Sequence, residues 1–145
     1  MRNLIRSERG TSMVEFALLA PVLILLVIGL IEVGRYTYFG ILAAHAAEAG
    51  ARYGAENLYT AQDKPGMQSA ALNDAQNLSG FSASANHTCS QNGALASCLG
   101  GTPAPNMVYY VNVTVSGTFH SLLNYPGVPT SVPVTAYATM RVQNQ

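Results

Sequence analysis

Residues 8–35 read ERGTSMVEFALLAPVLILLVIGLIEVGR, and the reading of this stretch decides the fold. From Phe16 to Ile31 no side chain is charged or strongly polar, and extending back to Thr11 adds only Ser12 and Glu15 as clear interruptions. As a helix, Thr11 to Ile31 would rise roughly 31 Å at about 1.5 Å per residue, matching a hydrocarbon core of about 30 Å. The run is long enough to span a membrane. Arg2, Arg6 and Arg9 precede it, whereas Arg35 is the single cation just beyond it. That bias keeps the N-terminus in the cytoplasm and exports the C-terminal part. A cleaved signal peptide shares the basic start and the apolar centre, but no small-x-small site closes the run, which passes instead into IEVGRYTYF.

Glu15 then needs a reason to be where it is. Deep in a bilayer a carboxylate costs about 2.5 to 3.5 kcal/mol on insertion scales, so an idle one is selected against. One accommodation is simple: near the cytoplasmic end of the span the side chain reaches back to the interface. A sharper reading joins Glu15 to Gly10. A basic leader ends in Gly, and Glu is the fifth residue after it. This resembles the class III, type IV pilin-like signal, in which prepilin peptidase cuts after Gly on the cytoplasmic side and leaves the apolar segment on the mature protein.

The resemblance extends along the run. Gly10, Val14-Glu15-Phe16-Ala17-Leu18, Pro21, Gly29, Glu32-Val33-Gly34-Arg35 and Gly50-Ala51-Arg52-Tyr53 together resemble the TadE-like minor pilins, or pseudopilins, of tight-adherence (Tad, Flp pilus) systems. The likeness covers about the first 55 residues, and the rest matches only in general character. Phe16 stands where the major pilins of these systems carry Tyr, which favours a minor component. The resemblance implies cleavage between Gly10 and Thr11, with Glu15 paired to the new Thr11 amine of a neighbouring subunit during assembly. It implies as partners prepilin peptidase, other pilin subunits met through the N-terminal helix, an inner-membrane assembly platform and the membrane itself. On physical grounds Glu15 also favours the positive end of the helix dipole. A buried Glu15–amine pair would fix register even where its net stability is modest. Pro21, inside the helix, removes a backbone bond and predicts a kink or local melting.

Beyond the membrane the helix is expected to continue to about Asn57. Ala43, Ala47, Ala51 and Ala55 recur every fourth residue, beside a second ridge of Ala46, Gly50 and Gly54. Such ridges permit close backbone approach to other helices or to a sheet, and the chain's own domain is the favoured partner. Glu32 and Arg35, at i+3, fall at the outer interface, either paired or separately solvated. After a break at DKPG, residues 63–66, the segment MQSAALNDAQNL sets Met67, Ala71, Ala75 and Leu78 on one face and predicts a short second helix.

Strand signals follow. FSASANHTC, residues 81–89, alternates weakly, while YYVNVTVSGTF, residues 109–119, alternates strongly with Tyr109, Val111, Val113 and Val115 on one side. SVPVTAYATMRV, residues 131–142, repeats the pattern, with Pro133 marking a strand start or sheet edge. Pro126-Gly127 fits an antiparallel connection, and NGALASCLGGTPAP reads as a loop. The fold expected is α+β and pilin-like: a long N-terminal helix on a short second helix and an antiparallel sheet of about three strands.

Composition narrows the function. Formal charge is zero and only 10% of the 145 residues are charged, without the basic face of a nucleic-acid binder. Cys89 and Cys98 lie close together and far from the apolar run, as expected of a disulfide in an oxidising compartment. A zinc reading through His87 and Cys89, with His45 or His120, matches no standard ligand spacing. No Gly-x-Ser-x-Gly or comparable motif supports a nucleophile, and neither an enzyme nor a cofactor is expected.

The resemblance thus implies a minor pilin precursor in the inner membrane, with a place in the extracellular pilus as one outcome, and the charge bias puts its N-terminus in the cytoplasm and its C-terminal domain outside. Its expected parts are a leader (1–10), a membrane-spanning half-helix (11–31), an extramembrane half-helix (32–57) and an exported α+β domain (58–145). The alternative is an uncleaved, membrane-anchored accessory or binding domain of the cell envelope.

Overall fold

Strand period and helix period meet along one line of contact, and the fold is built on it. The computed structural model describes residues 9–76, 80–96, 98, 106–122 and 129–143. Helix α1 spans Arg9–Ala55, α2 Leu58–Gln62 and α3 Lys64–Asp74, followed by β1 (Ser82–Gln91), β2 (Ala94–Ala96), β3 (Met107–His120) and β4 (Ser131–Arg141). The chain divides into two units, Met1–Arg35 and Tyr36–Gln145. In the first unit, α1 presents its apolar side chains outward: Phe16, Leu18 and Leu30 are all more than 60% exposed.

The second unit is α+β, with a four-stranded antiparallel sheet in the order β2-β1-β3-β4. Strand β3 carries the core. Its alternate residues Met107, Tyr109, Val111, Val113 and Val115 are buried, because a period of two sends every second side chain to the same face. Each fully buried valine stabilises by about 1.5–3 kcal/mol relative to an exposed one. On that face lie the predicted ridges of α1: Ala43, Ala46, Ala47 and Ala51 are fully buried, and Gly50 and Gly54 face Val113 and Val111. Near the start of this stretch Tyr36 meets Phe119 edge-on, ring centroids 5.5 Å apart. From Tyr36 to Gly54 the helix advances roughly 27 Å, and from Phe119 back to Val111 the strand covers about the same distance, so α1 runs antiparallel along β3.

Several local expectations are revised. Helix α1 ends at Ala55 rather than at about Asn57, because Asn57 caps α2: its Oδ1 accepts from the amides of Tyr59 and Thr60, both at 2.9 Å, and Thr60 Oγ1 accepts from the Asn57 amide at 3.1 Å. The DKPG segment does mark a break, since α2 ends at Gln62, but its last three residues already belong to α3. Asp63 caps the Gly66 amide at 3.0 Å, and Pro65 sits in the first turn, where its missing N–H costs nothing. Met67, Ala71 and Ala75 form the buried face of α3, as expected, and Leu78 lies outside the described residues.

The sheet has four strands rather than three. Ala94–Ala96, expected as loop, pairs with β1 across a tight turn in which Asn92 (φ 52°) and Gly93 (φ 84°) both adopt positive φ. Pro133 lies on the edge strand β4, where a missing donor is tolerated. Pro126-Gly127 falls outside the described residues, although the strands it was expected to join do pair antiparallel. Pro21 does not interrupt α1; the helix runs through it, forgoing the single bond to the Ala17 carbonyl.

Candidate functional site

The residues singled out in the apolar run all lie on α1. Gly10 and Thr11 fall in its first turn, where the structure describes the backbone alone, and Glu15 follows Thr11 by one turn. Glu15 is exposed, and among the described residues it makes no ion pair. Phe16 beside it is 67% exposed. Pro21 and Gly34 are also exposed, and a Cβ added at Gly29 or Gly34 would meet nothing within 4 Å. The most hydropathic window of this helix has none of its residues buried inside the chain. It is therefore an apolar rod, long enough to cross a membrane, with one carboxylate near its start.

Where the rod ends, the two charges resolve into a pair. Arg35 Nη1 donates to Glu32 Oε2 at 3.0 Å, and the Glu32 side chain is only 15% exposed. This i, i+3 contact lets both charges sit at a membrane boundary at less cost than two separate ions. A second pair, Arg52 Nη2 to Glu48 Oε1 at 2.7 Å, is more exposed and contributes little.

Further along α1, Gly50-Ala51-Arg52-Tyr53 acquires a structural meaning that the sequence did not show. A Cβ at Gly50 would stand 2.7 Å from the Met67 carbonyl oxygen, so only glycine lets α3 approach so closely. Ala51 is fully buried. The Tyr53 hydroxyl donates to Asp63 Oδ2 at 2.9 Å, tying the end of α1 to the residue that caps α3. That hydrogen bond, then loss of water around the ring and the charges of Asp63 and Glu56, raises the Tyr53 phenol above its ordinary value. Sequence reasoning missed this clasp because its partners are ten residues apart and join across α2.

The matched family covers the same stretch. A family model described as TadE-like protein matches residues 10–52. This part of the chain is similar to TadE-like proteins. The TadE-like segment holds Gly10, Glu15, Phe16, Pro21, Glu32, Gly34 and Arg35, and continues through the buried alanine ridge to Arg52. The match covers less than half of the chain. No curated protein and no solved structure matches the chain.

Outside the TadE-like segment, Cys89 and Cys98 form a disulfide with Cα atoms 5.3 Å apart, pinning the residues after β2 back onto β1. His87, two residues before Cys89, has its Nδ1 buried with no hydrogen-bond partner among the described residues. His45 lies on the helix and His120 at the end of β3. The three histidines are thus spread over different elements, and both thiols are committed to the disulfide.

Proposed function

We propose that the chain is a minor pilin precursor, cut by prepilin peptidase between Gly10 and Thr11 and taking part in assembly of a Tad/Flp-type pilus. The observation that carries this reading is the exposed apolar half of α1, with Gly10 and Glu15 five residues apart inside the TadE-like segment. Among the described residues none covers that surface or pairs with Glu15, so on this reading its natural complement is lipid first and neighbouring helices later. On this reading the N-terminus faces the cytoplasm and the sheet domain lies outside the inner membrane. Once Thr11 carries the new amine, the Glu15 carboxylate of an adjacent subunit neutralises it where water is scarce, and the pair sets the axial step between subunits.

Intact mass and N-terminal sequencing test the reading directly. In cells with an active prepilin peptidase the mature protein should begin at Thr11, and Gly10→Val should accumulate at full length. Glu15→Val should still insert and be cut, since the span only becomes more apolar, but should not be incorporated into fibres. Glu15→Asp should recover incorporation in part. If wild-type protein in such cells keeps Met1, the pilin reading fails, and a permanently anchored envelope domain becomes the better account.

A further inference from the structure

The two edges of the sheet are not alike. At one, β2 is three residues long, and the disulfide holds the chain just beyond it against β1. At the other, β4 runs for 11 residues with Arg141 as its single charge and no bulge in its register. Two hydrogen bonds beyond the ends of β4 show which of its backbone groups face off the sheet. The Val142 amide donates to the Tyr109 carbonyl and the Ser121 amide to the Thr130 carbonyl, and both pairs continue the β3–β4 register. Bonded and open pairs alternate along an antiparallel ladder, so the even-numbered residues of β4 bond to β3 and the odd-numbered ones turn their N–H and C=O groups away from it. Thr135, Tyr137, Thr139 and Arg141 thus present a row of donors and acceptors that is unmet among the described residues. Pro133 closes the row of donors at one end, having no N–H. Gln143 closes it at the other, where its amide is taken by the Ala55 carbonyl.

We propose that this edge pairs with the same edge of a second copy, antiparallel, about a two-fold axis through Ala138. A long edge without a lysine, a bulge or a covering element is a template for another strand. The open window between Pro133 and Gln143 is centred on Ala138, so the two-fold sets Thr135 opposite the partner's Arg141 and Tyr137 opposite the partner's Thr139. Every outward donor in the window then meets an acceptor, and none is left over. A shift either way brings Pro133 or Gln143 into the row and strands a carbonyl, so the two ends fix the register. The side chains agree with it. Tyr137, 81% exposed in the single chain, gains a β-branched neighbour across the strands. The two copies of Arg141 stand six residues apart along the strand, roughly 20 Å, and do not repel appreciably. On the α1 side of the sheet, Ala136, Ala138 and Met140 are half-buried at the margin of the core, and the small side chain on the axis lets one sheet continue into the other. The two-fold also sets residues 36–55 of α1 in opposite directions in the two copies. The contact is therefore distinct from any packing of parallel N-terminal helices, and it does not depend on the proposed function.

Both native cysteines are bonded to each other, so an introduced thiol is the only free one. Full-length Ala138→Cys, Ala136→Cys and Met140→Cys are purified in detergent and mildly oxidised, each alone and the last two mixed. At an open pair on the axis the Ala138 Cα atoms come within about 4.5 Å, inside the range a disulfide spans. Ala136 faces the partner's Met140 and lies roughly 13–14 Å from its own counterpart. Ala138→Cys should therefore form linked dimers, while Ala136→Cys and Met140→Cys should link only when mixed. Tyr137→Pro provides the second arm, because the Tyr137 N–H points away from β3 and its loss leaves the β3 ladder whole. Added to Ala138→Cys, it should weaken association roughly twenty- to thirtyfold, about fivefold for each of the two bonds lost per dimer. Equal linking of all three variants alone would mark random collision and overturn the pairing. So would an Ala138→Cys protein that stays monomeric while its thiol remains open to maleimide. Linking that is indifferent to Tyr137→Pro would place the contact away from this edge and overturn it as well.

Discussion

Changing glycine to alanine at two places on α1 should have opposite effects. In a helix interior alanine is better than glycine by about 0.8–1 kcal/mol, whatever its surroundings. At Gly40 a new Cβ meets nothing within 4 Å, so Gly40→Ala should keep that gain. At Gly50 the same atom would stand 2.7 Å from the Met67 carbonyl oxygen, 3.0 Å from the Ala71 Cβ and 3.1 Å from the Val113 Cγ1. The nearest of these belongs to the backbone of α3, which cannot rotate aside as a side chain can. Helix α3 must therefore retreat from α1, at an overpacking cost of about 2–3 kcal/mol. Net of propensity, Gly50→Ala should lose about 1–2 kcal/mol, leaving the two variants about 2–3 kcal/mol apart. For a domain of this size 1 kcal/mol moves the midpoint by roughly 4–8 °C, so their melting temperatures should differ by roughly 10–20 °C. The measurement is thermal unfolding of full-length protein in detergent, followed by tyrosine near-ultraviolet dichroism, which reports the sheet domain rather than the membrane helix. A Gly50→Ala protein that melts at or above wild type would refute the close approach of α3 to α1.

The clasp and the disulfide make further claims. Tyr53 has a phenol pKa raised above 10.0, so the folded state favours the protonated hydroxyl. The stability linked to it is complete below about pH 10 and is lost as pH rises through the folded value. Tyr53→Phe should therefore melt with a weaker pH dependence above pH 10, and an unchanged alkaline profile would count against the Asp63 contact. Reducing Cys89–Cys98, which closes a loop with a sequence separation of nine, should cost about 2.5–3 kcal/mol in the chain-entropy model. Equal melting temperatures with and without reductant would show that the bridge does not constrain the unfolded chain. Two freely alkylated thiols in unreduced, envelope-derived protein would show that it does not form there.

The parts of the fold legible in the sequence are those governed by one strong local rule. The alternation from Tyr109 to Val115 announces β3 because one side of the sheet is buried, and the Ala43 to Ala55 spacing announces a helix that must approach something closely. Less legible were elements whose signals have two meanings. Lys64-Pro65-Gly66 looks like a break until Asp63 is seen to cap it, since proline stops a helix from inside but suits its first turn. Strand β1 reads weakly because Ala83 and Ala85, on its core-facing side, are small; they pack against the same core as α3. Asn92-Gly93 did carry a hairpin signal, but the three-residue strand after it is too short to show a period. At the candidate site, Gly10 and Glu15 stood out because a carboxylate in an apolar run is costly, whereas the Tyr53–Asp63 contact depends on a turn that neither residue foretells.

The alignment of α1 with β3 also has a mechanical consequence. A pull along the stretch of α1 from Tyr36 to Ala55 is directed along the strands, across a seat of alanines and glycines that lies flush against Val111 and Val113. At the far end the Gln143 amide donates to the Ala55 carbonyl at 3.0 Å and the Val142 amide to the Tyr109 carbonyl at 2.9 Å, so the last turn of α1 is stitched to the sheet's own edge strand. Tension therefore loads the whole seat in shear, with many contacts strained together, instead of peeling them apart one by one. A domain fastened in this way should resist force along that stretch of helix better than a pull applied across the strands.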